Sequence, residues 1–262
     1  MKPRKRYGGL LALAWSWGLV GGAGTPVGEN ALSAANLHVA YRLQHAAGVR
    51  CHVITVNLRE PQVKVTLAVA QGGFPHAHES FGSMIGRTQP TAAINGTFFD
   101  KRTLKPIGDL VIGGRLVHQG LMGTALAITA DNGAVMRRVT WGRAEDWSAY
   151  ETVLACGPTL IQNGQIDLRP AEEGFRDPHV LRSGWRSACG LTAVGKLLLV
   201  SVPQPITLRK LAEVMLALGC VEAMNLDGGA SVAMYYRGRT LLRPGRKLTN
   251  ILLVYENGCA GG

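Results

Sequence analysis

Leu110-Val111-Ile112-Gly113-Gly114-Arg115-Leu116-Val117 reads as two short apolar strands joined by a diglycine turn. Glycine accepts the positive φ that a tight hairpin demands, so apolar runs on either side of such a pair predict antiparallel pairing. The same signal recurs twice downstream. Ala125 to Ala130 and Ala134 to Val139 flank Asp131-Asn132-Gly133, and Thr159 to Gln162 and Gln165 to Leu168 flank Asn163-Gly164. Hairpins repeated along one chain predict a sheet core that is largely antiparallel.

Outward from this centre the periodicity stays mostly at two. Val63, Val65, Leu67 and Val69 alternate within Leu58 to Ala70, and Arg50 to Leu58 alternates through Cys51, Val53 and Thr55. Glu79 to Thr88 predicts a short helix with Phe81, Met84 and Ile85 on one face, followed by a strand over Thr91 to Asn95. Arg169 to Arg186 is polar and irregular and is expected to form a mobile loop. Leu191 to Val202 suits a hairpin around Gly195-Lys196. One amphipathic helix follows: Thr207 can cap it, Leu208, Leu211, Val214, Met215 and Leu218 form its stripe, and Gly219 stops it. Val221 to Asp227, Ala230 to Tyr236 and Asn250 to Glu256 read as closing strands. The sum is a single α+β domain with a mixed, largely antiparallel β-sheet core and a few packed helices.

Composition agrees with a folded chain. The protein has 262 residues, 47% hydrophobic and 17% charged, which excludes disordered, collagen-like and coiled-coil classes. Aromatic residues are only 6%, and no runs of Lys and Arg follow Arg6, so no nucleic-acid partner is expected. The formal charge is +11. Residues 1–34 contribute Lys2, Arg4, Lys5 and Arg6 against Glu29, which leaves 24 basic and 16 acidic residues beyond them. A net +8 favours anionic partners such as phosphates, wall polymers or lipid headgroups, or is simply the surface charge of a basic protein.

Lys2 to Arg6 is a basic start, Tyr7 to Gly24 is uncharged and apolar, and small residues follow. This is the order of an export leader, so residues 1–34 are expected to be a signal peptide and short linker and 35–262 the working domain. Cleavage fits near Ala23-Gly24 or near Ala31 to Ala34. The competing reading is a membrane anchor, for which the 18-residue Gly-containing run is short. The expected location is the periplasm or exterior, with no stable anchor after leader removal. Export permits disulfides, and the odd set Cys51, Cys156, Cys189, Cys220 and Cys259 is open to one or two of them or to buried free thiols.

Three carboxylates lie where a strand enters a Gly-rich turn: Asp227 in Met224-Asn225-Leu226-Asp227-Gly228-Gly229-Ala230-Ser231, Asp100 at the end of Asn95-Gly96-Thr97-Phe98-Phe99-Asp100, and Asp109 after Gly108. Rigid elements deliver side chains to a site at such places. Glu145-Asp146, Glu172-Glu173 and Asp177 instead sit in stretches expected to be solvated. Asp227-Gly228 is also a common turn pair, but Asn225, Asp227 and Ser231 cluster between apolar strands, where buried polar groups need partners. A nucleophile elbow, a Walker loop and a zinc pattern are missing, and His76-Ala77-His78 has no third neighbour to complete a metal site.

Five motifs in order resemble the phosphodiester glycosidase family, a domain of exported bacterial proteins and of a lysosomal enzyme that removes N-acetylglucosamine from a phosphodiester. They are Ala92 to Phe99, Cys156 to Gly164, Arg186 to Gly190, Asn225 to Ser231 and Thr249 to Val254, spread over Glu79 to Glu256. Thr97 and Ala230 stand where the family usually has Gly.

The resemblance implies a hydrolase that breaks the anomeric C–O bond of a sugar 1-phosphodiester. Its leaving group is a phosphate monoester, which departs as an anion and needs charge stabilisation more than a proton. Asp227 is the expected nucleophile or base and Arg186 the phosphate clamp, its planar fork matching phosphate geometry. Arg186 in a structural ion pair with an acid is the other reading. Glu79 is the expected second carboxylate, and Gly228 and Gly229 can add backbone donors. Asn95, Asn225 and Asn250 would orient sugar hydroxyls or hold Asp227, with Asp100, Asp109 and Ser231 as further substrate-binding candidates. No cofactor is required by the sequence, and no ligand spacing demands a metal, although a calcium ion could join the site. The expected partner is a sugar phosphodiester or an envelope glycopolymer. Two rival functions remain open: a non-catalytic wall-binding module, and a hydrolase of ordinary glycosidic bonds that would need two essential carboxylates.

Overall fold

The computed structural model describes residues 37–256. The leader expected over residues 1–34, and Cys259, lie outside the described residues. The strands and helices run in chain order as β1 (Val39–Ala46), β2 (Val49–Asn57), β3 (Val63–Val69), α1 (Phe81–Thr88), β4 (Ala92–Asn95), β5 (Leu110–Ile112) and β6 (Arg115–His118). Next come β7 (Thr124–Ile128), β8 (Ala134–Arg138), β9 (Thr152–Cys156), β10 (Thr159–Gln162), β11 (Gln165–Ile166), α2 (Pro178–Leu181) and β12 (Gly184–Thr192). The chain closes with β13 (Lys196–Ile206), α3 (Leu208–Ala217), β14 (Cys220–Asn225), β15 (Met234–Tyr236), β16 (Arg239–Leu242) and β17 (Asn250–Glu256).

These strands form three sheets, ordered β1-β2-β13-β12-β14-β10-β11, β16-β15-β4-β17-β3 and β6-β5-β9-β7-β8. Every pairing among the described residues is antiparallel. The chain is therefore an α+β domain, and the three diglycine, Asp-Asn-Gly and Asn-Gly turns close the hairpins expected of them. Each sheet turns one apolar face to a shared interior. Ile54 and Leu199 come from the first, Leu67 and Leu252 from the second, Leu126 and Leu154 from the third. Every one of these six side chains is buried, and full burial of such a side chain contributes about 1.5–3 kcal/mol.

The two longer helices cover outer faces. Thr207 accepts from Lys210 N at 3.1 Å and starts α3, whose Leu211, Val214 and Met215 pack on Val53, Ala188 and Ala223 of the seven-stranded sheet. α1 lays Phe81, Met84 and Ile85 on Ala93, Ile251 and Leu253. Cys51, Cys156, Cys189 and Cys220 are buried free thiols within these cores.

The β12–β13 ladder carries one irregularity that matters for the site. Gly184 pairs with Ile206 and Arg186 with Val202, so Pro203, Gln204 and Pro205 stand opposite Trp185 alone. Proline has no N–H for a ladder, and a bulge here re-aims the end of β12.

Three expectations need correction. β1, β9 and β16 were not signalled by pattern, and Ala230 to Tyr236 is not one strand, because Gly229–Ser231 forms a 3-10 turn before β15. Arg169 to Arg186 is not wholly a polar loop: Phe175 is buried, α2 occupies Pro178–Leu181 and β12 begins at Gly184. Glu173, expected to be solvated beside Glu172, is fully buried. Its carboxylate accepts Thr159 N at 3.0 Å and the Thr124 hydroxyl at 2.8 Å, with Arg138 at 3.5 Å, which satisfies it inside the fold.

Candidate active site

Four segments converge where β14 ends: Asn95-Gly96-Thr97 leaving β4, Trp185-Arg186-Ser187 entering β12, Asn225 to Ser231, and Arg246 to Asn250 leading into β17. Their approach is close enough that side chains would block it at two points. A Cβ on Gly96 would fall 1.9 Å from Asn250 Oδ1, and one on Gly228 would fall 2.8 Å from the Trp185 carbonyl oxygen. Glycine at both positions lets the segments touch.

Asp227 is the charged centre and is buried. Its Oδ1 accepts from Gly228 N at 2.8 Å, and its Oδ2 faces Arg246 Nη2 at 3.0 Å. Arg246 Nε also donates to Ser231 Oγ at 2.6 Å, and its guanidinium lies over the Phe99 ring at 4.7 Å. Burial pushes the Asp227 carboxyl above the ordinary aspartate range, while Arg246, Ser231 and the Gly228 amide pull the other way.

The asparagines hold this centre in place. Asn95 Nδ2 donates to the Asp227 carbonyl oxygen at 2.7 Å, and its Oδ1 accepts from Ser187 Oγ at 2.8 Å and Ala233 N at 3.1 Å. Asn250 Oδ1 accepts from Thr97 N at 2.8 Å. Asn225 Nδ2 donates to the Gly157 carbonyl at 3.0 Å, but Asn225 Oδ1 and Thr97 Oγ1 are buried without a hydrogen-bond partner in the protein. An unmet buried polar atom costs about 1–3 kcal/mol, so both atoms call for a water or a ligand group.

Arg186 is the one buried cation in the described core. It is 2% exposed, yet no carboxylate among the described residues comes within ion-pair distance. Nε donates to the Ile206 carbonyl at 3.4 Å and Nη2 to the Arg182 carbonyl, which aim the fork. Nη1 is left 3.8 Å from the point where a Cβ on Gly228 would sit. Burial lowers its pKa to about 10, so it remains cationic at neutral pH. The structural ion pair considered for it does not form.

Of the candidates read from sequence, Asp227, Asn95, Asn225, Ser231, Asn250, Gly228, Gly229 and Arg186 gather here. Glu79, Asp100 and Asp109 have other occupations. Glu79 binds Arg87 through Nε and Nη2, Ser83 Oγ at 2.6 Å and Gln71 N at 3.1 Å. Burial raises its pKa, but these bonds outweigh that and hold the carboxyl below its ordinary range, opposite to what a proton donor needs. Asp100 caps a surface turn through Arg102 N and Thr103 N. Asp109 is buried and accepts from Gly120 N, Leu121 N and Trp147 Nε1, so it ties the β6–β7 connection to Trp147. The Gly228 amide, expected to face a ligand, is taken by Asp227 itself, whereas Gly229 is exposed at the turn.

Arg246 was missed. It is one of five basic residues from Arg237 to Lys247, and no spacing sets it apart; only the Pro244-Gly245 turn, docked by Gly245 N on the Ala230 carbonyl at 2.8 Å, delivers it. Among the described residues no group of three or more His, Cys, Asp or Glu side chains gathers as a metal site, and no helix is long and apolar enough to cross a membrane.

The fold coincides with that of a known family. The phosphodiester glycosidase family model matches residues 88–255, and the chain belongs to that family. The chain is 28% identical over 197 residues to the bovine N-acetylglucosamine-1-phosphodiester alpha-N-acetylglucosaminidase. That match covers 64% of the chain and 37% of the bovine protein, so the chain spans little more than a third of that relative's length. Two solved structures share the fold. The zebrafish N-acetylglucosamine-1-phosphodiester alpha-N-acetylglucosaminidase catalytic domain, auto-inhibited by its pro-peptide, superposes with a TM-score of 0.65 at 22% identity, over 83% of this chain and 81% of that one. A hypothetical protein from Synechocystis gives 0.69 at 16% identity, over 83% and 62%.

Proposed function

We propose that the protein is an exported hydrolase that cleaves the anomeric C–O bond of a sugar 1-phosphodiester, free or within an envelope glycopolymer, releasing a sugar and a phosphate monoester. The observation that carries this reading is Arg186: a buried cation without a counter-charge, beside a buried aspartate. Leaving a cation unpaired in an interior is costly, and an anionic ligand at Nη1 relieves that cost. The phosphodiester supplies the anion. Its oxygens accept from Arg186, and Asp227 faces the anomeric carbon as nucleophile or as the base that deprotonates water.

The C–O bond then breaks with its electron pair on the phosphate oxygen, where Arg186 stabilises the charge. A leaving group of this kind needs no strong acid, which accords with Glu79, Glu173, Asp100 and Asp109 all being engaged elsewhere. Asn95 acts by holding the turn that carries Asp227, and Asn250 by fixing the neighbouring Thr97 segment. Thr97 Oγ1 and Asn225 Oδ1 are the polar atoms still owed partners. Bovine and zebrafish relatives named for the same bond type support the reaction class, and a structurally similar Burkholderia pseudomallei protein described as a candidate exported protein, with a TM-score of 0.63, supports the location.

The direct test offers the purified protein a chromogenic sugar 1-phosphodiester and a matched aryl glycoside. Release from the first alone is the expected result. Release from the glycoside alone, or binding without release, would sink the proposal. Export is tested by intact mass of the protein from its native envelope, where a chain still beginning at Met1 would count against a cleaved leader.

Arg246 gives this reading a pH signature. Asp227 must be ionised to act, so kcat/KM falls as pH drops through its pKa. In Arg246→Gln the charge that opposes the burial effect is gone, and the carboxyl moves further up. The acid limb of the profile is expected to shift to higher pH by about 1–3 pH units. An acid limb that stays put would show that Asp227 does not set it.

A further inference from the structure

Two guanidinium groups and one carboxylate meet at the Asp227-Gly228 turn. Arg246 pairs with Asp227 at 3.0 Å, while Arg186 has no carboxylate partner among the described residues. Two cations thus share a single anion, and the cluster is left with one positive charge uncompensated. The carboxylate is also fully occupied, since Oδ1 accepts from Gly228 N and Oδ2 from Arg246 Nη2. An oxygen held by a cation is stabilised as the anion and is a weaker base and nucleophile for it. The pair must therefore open before Asp227 can react. Arg246 is built to open it. Its side chain is 31% exposed, and its Nη1 makes no hydrogen bond among the described residues. The backbone on either side is pinned, by Gly245 N on the Ala230 carbonyl at 2.8 Å and by Leu248 exchanging both its backbone bonds with Glu79 at 2.9 Å. A rotamer change in the side chain is then sufficient to move the guanidinium.

We propose that Arg246 is a second phosphate ligand that changes partners: it masks Asp227 in the free site and passes to the phosphodiester when substrate binds, which frees Oδ2. This rests on the reading of the site as one for sugar 1-phosphodiesters. A phosphodiester carries one negative charge, the amount that the cluster lacks. One of its oxygens accepts from Arg186 Nη1 and another draws Arg246, whose planar fork suits phosphate as well as carboxylate. Oδ1 stays on the Gly228 amide, so the freed oxygen keeps a fixed direction. The same transfer places a second cation where charge accumulates as the C–O bond breaks. A neutral glycoside has no anion to draw Arg246 away, so the exchange discriminates against ordinary glycosidic bonds.

The test uses the full chain, with inorganic phosphate as the binding probe and the chromogenic sugar 1-phosphodiester for turnover. Calorimetric titration compares wild type, Asp227→Asn, and the double variant Asp227→Asn with Arg246→Gln, in which no buried carboxylate is left without its cation. Titrations are run at about 0.5 M salt, where a charge acting only through space is screened. Asp227→Asn should bind phosphate about tenfold more tightly than wild type, because Arg246 no longer has a partner to leave. Removing Arg246 from that variant should cost about tenfold, the amount one charge-assisted contact supplies. An arginine that merely neutralises Asp227 has nothing left to do in this background and predicts no loss. A loss under about threefold, no tightening in Asp227→Asn, or no phosphate binding by that variant overturns the exchange. Phosphate binding that depends on Arg246, in a protein that turns over no phosphodiester, would leave the exchange standing and remove the proposed reaction. Turnover of the diester with binding indifferent to Arg246 would do the reverse.

Discussion

Asp227→Asn is expected to lower kcat/KM by about a thousandfold or more, roughly 4 kcal/mol on the barrier, with the melting temperature held or raised. Asn is nearly isosteric, and its carbonyl oxygen can still accept from Gly228 N, so the turn survives. On the proposed reading, what disappears is the negative charge that meets the anomeric carbon. The sign of the stability change follows from burial. The folded-state pKa of Asp227 lies above the ordinary aspartate value. Its contribution to stability is therefore full below the unfolded pKa and is lost as pH rises through the folded one. Once ionised, the buried side chain opposes folding, and Asn removes that opposition. Arg246, 31% exposed, can turn to water once its partner is neutral. Turnover within about threefold of wild type, under ~1 kcal/mol, would leave Asp227 a turn residue.

Arg186→Lys is expected to lower kcat/KM by about 30- to 150-fold, roughly 2–3 kcal/mol of transition-state stabilisation. Lysine keeps the charge and loses the fork. The guanidinium spends Nε and Nη2 on the Ile206 and Arg182 carbonyls and still has Nη1 to offer, whereas one ammonium cannot cover those three directions at once. Inhibition by inorganic phosphate should weaken in parallel. The fold should lose much less, because the two backbone acceptors lie near strand and helix ends where water can replace a donor. Unchanged turnover, or a variant that only melts early with normal turnover below its melting point, would remove Arg186 from the chemistry.

Much of this architecture was legible because hairpin turns and α3 advertise themselves locally. Gly113-Gly114 and Asn163-Gly164 mark turns in any context, and Thr207 with the stripe from Leu208 to Met215 marks a helix. β9 escaped because Thr152 to Cys156 is buried on both faces and has no alternation to detect. β1 escaped for the opposite reason: as an edge strand it mixes Arg42, Gln44 and His45 with apolar residues.

The site divides in the same way. Asp227, Asn95, Asn225 and Asn250 sit at strand ends where pattern and motif both point. Arg246 and Glu173 owe their positions to long-range contacts, with Ser231 and Asp227 for one and with Thr124 and Thr159 for the other. Adjacent glutamates such as Glu172 and Glu173 look alike until the fold buries one of them. Glu79 failed as a candidate because its partner Arg87 stands two helical turns away on α1, a contact as readable as the carboxylate itself.

The position of β17 carries a consequence for how the molecule comes into being. It is the last strand among the described residues, yet it lies inside its sheet, pairing Asn250 with Val69 and Ile251 with Asn95. A chain made or threaded from its N-terminus presents β3 and β4 long before their shared neighbour exists. Until that strand slots in, two apolar edges stand open to any passing β-segment, and such late, distant closure is slow. Asn250 arrives on that strand and Arg246 immediately ahead of it, so the Asp227 cluster is incomplete until the sheet is sealed.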